Sequence, residues 1–290
     1  DSIHFNTKGY PGLNSIWYEV NVVNAATGLY DQQEQYHFNN FAQKNFYVRS
    51  DITNPLVDVT FDGVRILNGD IISAKPLVVI SLKDENKFLA LNDTSVFRVY
   101  LKDLQTGNED RIFFGNQNIM KFIPASLPKN SCKIEYRPHF PVDGKYQLRV
   151  QAKDMSDNSS GDFDYVIQFE VINASTITHL FNYPNPFSTS TRFVFTLTGS
   201  EVPEDLRIQI ITVTGKVVRE ISLAELGNVH IGNNITDYAW DGTDSFGDRL
   251  ANGVYFYRVI AKLNGSSIEH RETDADSFFQ KNFGKMYLMR

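Results

Sequence analysis

Apolar and polar residues alternate along almost the whole chain, and this pattern limits the possible folds more than any other feature. Runs such as PLVVISLKD, SVFRVYLKD and GKYQLRVQAKD are short and are bounded by Gly, Asn, Asp or Pro. A two-residue period places alternate side chains on one buried face, as in a β-strand. Only SLAELGN has the character of a helical turn. The alternation therefore predicts an all-β protein.

The distribution of these runs predicts three parts within the 290 residues. Residues 1–54 hold too few strands to close a core, so we expect them to be the end of a domain that continues upstream. Residues 55–174 carry successive strands with regular turns, as an immunoglobulin-like β-sandwich does. Residues 175–290 repeat this pattern. The prediction is two consecutive immunoglobulin-like β-sandwiches preceded by a short β-rich segment.

Prolines mark two candidate joints in the chain. Pro55 precedes one strand, and Pro184 and Pro186 flank Asn185 just before the strand TRFVFTLTG. Proline fixes φ and donates no backbone hydrogen bond, and the residue before it is held extended. We therefore expect the segment YPNP to be a stiff spacer that ends one sandwich and orients the next.

Composition excludes several classes of partner and activity. The net charge is −6 and the basic residues are scattered, which argues against nucleic-acid binding. No apolar run is long enough to span a bilayer, so direct membrane insertion is not expected. The single cysteine, Cys132, is predicted to be a core residue, and the six histidines lack metal-site spacing. We predict a non-enzymatic fragment of a longer protein.

Four sequence blocks in the last third of the chain carry a family resemblance. They are YPNPFSTSTRFVFTLTG, IQIITVTGKVVREI, the turn WDG and the strand GVYFYRV, in that order. Together they resemble the FlgD-type immunoglobulin-like module. The D-G and N-G pairs in these blocks are typical turn sequences between strands. For each of these residues the alternative role is simple maintenance of the fold.

A module similar to this one forms the C-terminal sorting domain of proteins exported by type IX secretion in Bacteroidetes. The resemblance implies a location at the outer-membrane surface and recognition by a PorV-like shuttle protein or the translocon. A basic-flanked apolar strand such as KMYLMR ends those domains, and we expect its edge to be recognised by strand addition. The implied recognition residues are Pro184, Asn185, Pro186, Phe187, Trp240, Asp241, Gly242, Gly253, Tyr255, Lys285, Met286, Tyr287, Leu288 and Arg290.

One departure from the sorting-domain pattern is the insertion NGSSIEHRETDADSFFQKNF, residues 264–283. It resembles instead the tail of the PorU-related sortases, which are gingipain-like cysteine peptidases. The runs NPLVDVTFDGVRILNGDIISAKP and FIPASLPKNSCKIEY resemble the immunoglobulin-like domain that precedes that tail. The resemblance implies that any catalytic domain lies upstream of this chain.

A different class of function, a carbohydrate- or protein-binding module of an adhesin or hydrolase, remains as an alternative. Tyr30, Tyr36 and Phe38 are the aromatic residues that would form its binding surface. Aromatic residues along strands more often fill a core. The identity of the upstream sequence would distinguish these classes.

Two acidic loops in the middle sandwich are candidates for a calcium site. If PLVVISLKD and GKYQLRVQAKD are strands B and F, the loops that follow them emerge at the same end of the fold, near 51–55. Calcium takes six to eight oxygen ligands in irregular geometry. The alternative is that these are solvated turn residues. The candidate ligands are Asp84, Glu85, Asn86, Asp93, Asp154, Asp157 and Asp162.

Overall fold

The computed structural model describes residues 5, 7, 9–115, 118–270, 279–280 and 283–290. Within them the chain is all-β except for a 3-10 turn, Thr94–Val96, and one short helix, Leu223–Leu226 (α1), which lies in SLAELGN. No helix of this described part has the length and apolarity that a membrane span requires. The sheets form a two-stranded ribbon and two immunoglobulin-like β-sandwiches, which confirms the predicted fold class.

The ribbon consists of β1 (Gly12–Glu19) and β2 (Phe41–Val48), which pair antiparallel and, in the part of the chain that the structure describes, have no other strand partner. Large apolar side chains are exposed on it, among them Leu13, Trp17 and Tyr47. A two-stranded sheet that buries so little apolar surface has almost no core of its own. The ribbon therefore depends on its connection to the rest of the chain for a fixed orientation.

The middle sandwich contains nine strands in two facing sheets, one ordered β3-β5-β9-β8 and the other β4-β11-β10-β6-β7. Its core is built from alternate residues of both sheets, as the alternation predicts, and includes Ile80, Leu82 and Val150. Sequence analysis missed the short strands β4, β7 and β8. The strands are β3 (Leu56–Phe61), β4 (Asp70–Ile72), β5 (Val78–Lys83), β6 (Phe97–Asp103), β7 (Glu109–Ile112), β8 (Met120–Ile123), β9 (Ser131–Tyr136), β10 (Gly144–Ala152) and β11 (Tyr165–Val171).

The terminal sandwich packs the sheet β16-β13-β12-β19 against the sheet β15-β14-β17-β21-β20, with β18 paired to β17. A separate core that includes Phe193, Trp240 and Tyr257 lies between the sheets. The strands are β12 (Thr176–Tyr183), β13 (Arg192–Leu197), β14 (Asp205–Thr212), β15 (Val217–Ile221), β16 (Gly232–Ile235), β17 (Gly253–Leu263), β18 (Ser266–Ser267), β19 (Glu269–His270), β20 (Phe279–Gln280) and β21 (Phe283–Leu288).

The YPNP segment is not the joint between the sandwiches, and that prediction is wrong. Tyr183 is the last residue of β12, which already belongs to the terminal sandwich. The chain passes between the sandwiches at residues 172–175 instead. The alternation concealed β12, because its register shifts between Thr178 and Phe181 and consecutive residues are buried there. The insertion 264–283 falls partly outside the described residues, at 271–278 and 281–282.

The two sandwiches meet at a tightly packed contact, which we call the inter-sandwich junction (residues 70–74, 199–200 and 232–233). The Ala74 amide donates to the Gly199 carbonyl at 3.1 Å, and the Ser73 hydroxyl donates to the Ser200 carbonyl at 3.2 Å. A Cβ atom on Gly232, which has a φ of +107°, would lie 2.5 Å from the Ile71 carbonyl oxygen. Only glycine allows the two backbones to approach so closely.

Candidate functional site

The terminal strand β21 is part of the core of its sandwich. It pairs antiparallel with β17, and Met286 and Leu288 are completely buried between the sheets. Gly284 lies against the ring of Tyr257, where any Cβ atom would overlap the ring. The outward positions carry Lys285, which is exposed, and Tyr287, whose ring lies 5.0 Å from the Lys285 ammonium. The strand thus has a structural inner face and a polar, aromatic outer face.

The PNPF segment bonds directly to this strand. The Asn185 amide donates to the Lys285 carbonyl at 2.9 Å and accepts from the Tyr287 amide at 3.0 Å. Phe187 donates to the Tyr287 carbonyl at 3.0 Å and accepts from the Met289 amide at 2.8 Å. Pro184 and Pro186 flank Asn185 on the exposed side of the segment. The two prolines therefore present one asparagine and one buried phenylalanine to the terminal strand.

These hydrogen bonds test the prediction that a partner adds a strand to the outer edge of β21. Strand addition needs unpaired backbone donors and acceptors along an edge. From Lys285 to Met289 the outer edge is already bonded to Asn185 and Phe187. The prediction of strand addition at KMYLMR is therefore wrong for the closed sandwich. The side chains on the outer face remain accessible to a partner.

The WDG turn holds the end of the same strand. Trp240 is fully buried, and its indole N–H donates to the Thr243 carbonyl at 2.8 Å. The Thr243 hydroxyl donates to the Asp241 carboxylate at 2.7 Å, and this bond holds the pKa of Asp241 below its ordinary value. Gly242 has a φ of +77°, and a side chain there would overlap Leu288 and Arg290. The Arg290 guanidinium donates to the Asp241 carbonyl.

The start of β17 also contacts the end of the terminal strand. Gly253 pairs in register with Leu288, and Asn252 exchanges two hydrogen bonds of 3.0 Å with the backbone of Arg290. The Tyr255 ring lies edge-on to Trp240 at 5.9 Å, and its hydroxyl donates to the Ala251 carbonyl at 2.7 Å. All the family blocks except the β14–β15 hairpin thus converge on β21. Asn185, Phe187 and Gly242 are among the block residues that contact the terminal strand directly.

A second candidate site, the acidic junction, lies where the ribbon's connection, residues 49–55, meets the end of the middle sandwich. Carboxylate oxygens of Asp51, Asp84 and Asp154 all lie within 4.8 Å of one another. Asp84 follows β5 and Asp154 follows β10, so the predicted proximity of these two loops is confirmed. Sequence analysis placed 51–55 nearby but did not identify Asp51 as a member of the group.

Asp84 is the least satisfied of the three carboxylates. Its side chain is 6% exposed, and one oxygen accepts from the Asn130 amide at 3.1 Å. The other oxygen, Oδ1, is buried and has no hydrogen-bond partner among the described residues. Burial raises the pKa of Asp84, the backbone amide of Asn86 opposes the rise, and the charges of Asp51 and Asp154 add to it.

The other two carboxylates are anchored by neutral donors. Asp154, which is also buried, accepts from the amides of Ser156 and Asn158 and from the Asn158 side chain, at 2.7–2.8 Å. Asp51 accepts from the Asn86 side chain at 2.7 Å, and its carbonyl accepts from Asn158 at 3.1 Å. These bonds dock residues 49–55 on the sandwich and fix the positions of the carboxylates.

The remaining predicted ligands have other roles or positions in the structure. Glu85 accepts from the Thr53 hydroxyl at 2.7 Å, so it borders the acidic junction. Asp93 caps the 3-10 turn by accepting from the Ser95 amide, and Asp157 forms an ion pair with Lys153 at 2.6 Å. Asp162 is exposed and is not one of the three grouped carboxylates. Only two of the predicted acidic residues therefore belong to the cluster.

The aromatic residues of the loop between β1 and β2, residues 20–40, do not form one flat surface. The Tyr30 ring stacks on His37 at 3.9 Å, whereas Tyr36 and Phe38 meet edge to face at 5.6 Å. Phe38 is 78% exposed.

Cys132 is completely buried in the middle sandwich, where desolvation raises its pKa to about 12. Its thiol is therefore protonated at neutral pH, as expected of a core residue.

Comparison with known proteins adds similarity at the level of the fold. Neither a protein-family model nor a curated protein sequence matches the chain. Dimeric latent PorU from Porphyromonas gingivalis is 16% identical, with a TM-score of 0.33 over 88% of this chain and 23% of that one. Fibronectin(III)-like modules of Clostridium thermocellum CbhA are 14% identical, with a TM-score of 0.23 over 74% of this chain and 95% of that one. The chain thus spans less than a quarter of the PorU structure.

Proposed function

We propose that this chain is the C-terminal part of a protein exported to the outer surface of a Gram-negative bacterium. In this proposal the terminal sandwich is the type IX sorting and attachment module, and the middle sandwich is a stalk. A PorV-like shuttle protein or the translocon is the proposed partner. Catalysis in the parent protein, such as that of a gingipain-like sortase, would reside upstream.

The observation that supports this proposal most is the convergence of the PNPF, WDG and N-G blocks on the last strand. Asn185, Gly242 and Asn252 each contact the segment 285–290. The arrangement presents Lys285 and Tyr287 on the outer face of a strand whose inner face is locked.

This geometry favours recognition through side chains over recognition through the strand edge. Lys285 and Tyr287 form a cation–π pair on the outer face, and amphipathic rings with an adjacent cation are common in protein interfaces. Arg290 adds a second cation at the chain end, and its guanidinium is held by the Asp241 carbonyl. The expected partner surface therefore carries acidic and apolar groups.

Surface display of a reporter tests the proposal. The full chain is fused to a periplasmic reporter and expressed in a host competent for type IX secretion. We expect display of the unaltered fusion and a loss of about tenfold or more in the double variant Lys285→Ala with Tyr287→Ala, since hot-spot contacts dominate binding. Deletion of residues 285–290 is a poor test, because it also removes the core residues Met286 and Leu288.

A matched control separates recognition from folding. Lys262 is an exposed lysine on the neighbouring strand β17, so Lys262→Ala removes the same charge from the same sheet. We expect this variant to be displayed normally, and we expect all the variants to unfold at nearly the same temperature. Normal display of the double variant, with its fold intact, would overturn the proposed role of this face.

A second candidate function is ligand binding by the aromatic group of the loop between β1 and β2. Tyr36 and Phe38 are both more than half exposed, which favours a contact surface over a core. Their edge-to-face arrangement suits a protein partner better than the flat face of a sugar ring. Binding of soluble glycans by the full chain, abolished in Tyr36→Ala, would favour the carbohydrate-binding alternative.

A further inference from the structure

We propose that the acidic junction is a calcium site that fixes the ribbon's connection to the middle sandwich. The ligands would be Asp51, Asp84 and Asp154. This proposal is independent of the sorting function, because its residues belong to the middle sandwich and the linker before it, and the proposed sorting module is the terminal sandwich. It rests on three observations, which are the grouping of the carboxylates, the unpartnered oxygen of Asp84 and the absence of an ion pair to the cluster among the described residues.

The charges of the cluster are not balanced by basic side chains. No ion pair in the described part of the chain involves Asp51, Asp84 or Asp154. Lys153, the residue before Asp154, pairs with Asp157 instead. Like charges held this close repel one another, and the repulsion grows as solvent is excluded. A bound divalent cation would offset it.

The unpartnered oxygen points to a missing ligand more directly than the cluster does. Asp84 is 6% exposed and its Oδ1 atom has no hydrogen-bond partner among the described residues, although buried polar atoms in folded proteins are almost always bonded. Its other oxygen is occupied by Asn130. A cation between the three carboxylates would supply the contact that Oδ1 lacks.

The donor set favours calcium over other divalent ions. All three side chains offer hard carboxylate oxygens, whereas zinc and copper sites use histidine or cysteine. Asp51 Oδ1 and Asp154 Oδ2 each accept one hydrogen bond, from the Thr53 amide and the Asn158 side chain, and so keep a further lone pair for a metal. Calcium tolerates the irregular geometry of two loops and a linker, whereas magnesium demands a nearly ideal octahedron. Water would complete the coordination.

The site would join segments that are far apart in sequence. Asp51 precedes the first strand of the sandwich, Asp84 follows β5 and Asp154 follows β10. Without an ion, residues 49–55 are held mainly by hydrogen bonds of Asp51 to Asn86 and Asn158. Calcium would add bonds from one ion to all three segments. We therefore expect calcium to narrow the range of ribbon orientations.

The experiment uses the full chain, freed of metal with a chelator and titrated with calcium by calorimetry. We expect one site with a dissociation constant of about 10⁻⁴ to 10⁻³ M, the range of extracellular calcium modules, and weaker binding of magnesium. At a free calcium concentration about ten times the dissociation constant, the unfolding midpoint of the middle sandwich should rise by about 5 °C. Absence of binding at millimolar calcium, or a preference for magnesium, overturns the assignment.

Asp84→Asn is the decisive variant, because it keeps the shape of the side chain and removes its charge. We expect calcium binding to weaken by about tenfold or more, since affinity depends on the number of charged ligands. In chelator the variant should be at least as stable as the unaltered protein, because one repelling charge is gone. In calcium the order should reverse. A purely structural carboxylate would show no such reversal.

Asp162→Asn is the matched control, since Asp162 is acidic, close in sequence to Asp154 and exposed. It should bind calcium like the unaltered protein.

Spin labels at exposed Lys44→Cys on the ribbon and Lys121→Cys on the middle sandwich measure the distance between these two parts. We expect their distance distribution to narrow in calcium. An unchanged distribution, with calcium bound, would overturn the proposed effect on the ribbon.

Discussion

The two junctions of this molecule are built in opposite ways. At the acidic junction three carboxylates lie within 4.8 Å of one another and dock the linker through side chains. At the inter-sandwich junction the Ala74 amide donates to the Gly199 carbonyl, and Gly232 allows a close approach to Ile71. The acidic junction groups three carboxylates, whereas the named residues of the inter-sandwich junction include one, Asp70, which accepts from the Asn233 side chain.

This difference indicates that the two junctions respond to different conditions. Contacts between backbone groups depend little on the ions in solution, so the relative orientation of the sandwiches should be constant. Grouped carboxylates respond to cations, because their mutual repulsion changes with the counter-charge. Close packing therefore determines the geometry of the inter-sandwich junction, whereas electrostatic interactions determine that of the acidic junction.

The largest expected effect is on the inter-sandwich junction, in the variant Gly232→Ala. A methyl group there would lie 2.5 Å from the Ile71 carbonyl at a φ of +107°, so both the contact and the backbone become strained. We expect a loss of about 3 kcal/mol in the free energy of unfolding, measured by chemical denaturation. X-ray scattering should show a broader distribution of sandwich orientations.

Gly247→Ala is the matched control for this variant. Gly247 also has a positive φ, +88°, but no atom lies within 4 Å of its added Cβ. We expect a cost of about 1 kcal/mol from backbone strain alone, with no change in scattering. Equal losses in the two variants would show that the close approach to Ile71 does not stabilise the junction.

A smaller effect is expected from Ser73→Ala, which removes one side-chain bond across the same junction. The Ser73 hydroxyl donates to the Ser200 carbonyl, and it is 3% exposed. The same hydroxyl accepts from the Lys75 amide at 3.1 Å, so its loss removes two hydrogen bonds and should cost about 1–2 kcal/mol. Ser200→Ala keeps the carbonyl and should be nearly neutral. If the two variants lose the same stability, the bond across the junction is not the cause.

The smallest expected effect is on Cys132, which reports whether a change at a junction reaches the core. Burial raises its pKa to about 12, so we expect almost no alkylation of the folded protein at pH 9. The same should hold for Gly232→Ala, since a junction can open without exposing this thiol. Rapid alkylation of the folded variant would mean that the junction and the core unfold together.

The same pKa gives a pH dependence with a definite sign. The folded thiol titrates above the ordinary value of 9.0, so the unfolded chain loses its proton first as the pH rises. The contribution of the Cys132 thiol to the free energy of unfolding is therefore fully present below pH 9 and is lost progressively towards pH 12. Tyr136, whose pKa burial also raises to about 12, acts in the same direction. Denaturation curves at pH 8 and 11 would measure the loss.

Sequence alone predicted the fold class because alternation is a local property of strands. It failed at β12, where a register shift and burial on both faces remove the alternation. It also misplaced the joint, because the two prolines near 184–186 are typical of a spacer. Their partner, the segment 285–289, lies about a hundred residues away in sequence, and no local rule connects them.

The acidic junction shows the same limit. Strand order predicted that the loops after β5 and β10 are neighbours, and Asp84 and Asp154 do meet. Asp93 and Asp157 could not be separated from them, since aspartate in a loop serves equally well as a turn or cap residue. Asp51 was missed because its position depends on the path of the linker, which only tertiary contacts determine.

The placement of Met286 and Leu288 in a buried core has a consequence for how the protein is made. Domains usually fold as units while the ribosome is still working, in order from the N-terminus. The middle sandwich can close once residue 171 has emerged, whereas the terminal sandwich lacks two core side chains until residue 288 does. A chain that ended before residue 286 would thus carry a folded middle sandwich and an open terminal sandwich. The terminal sandwich can therefore close only after translation has passed residue 288.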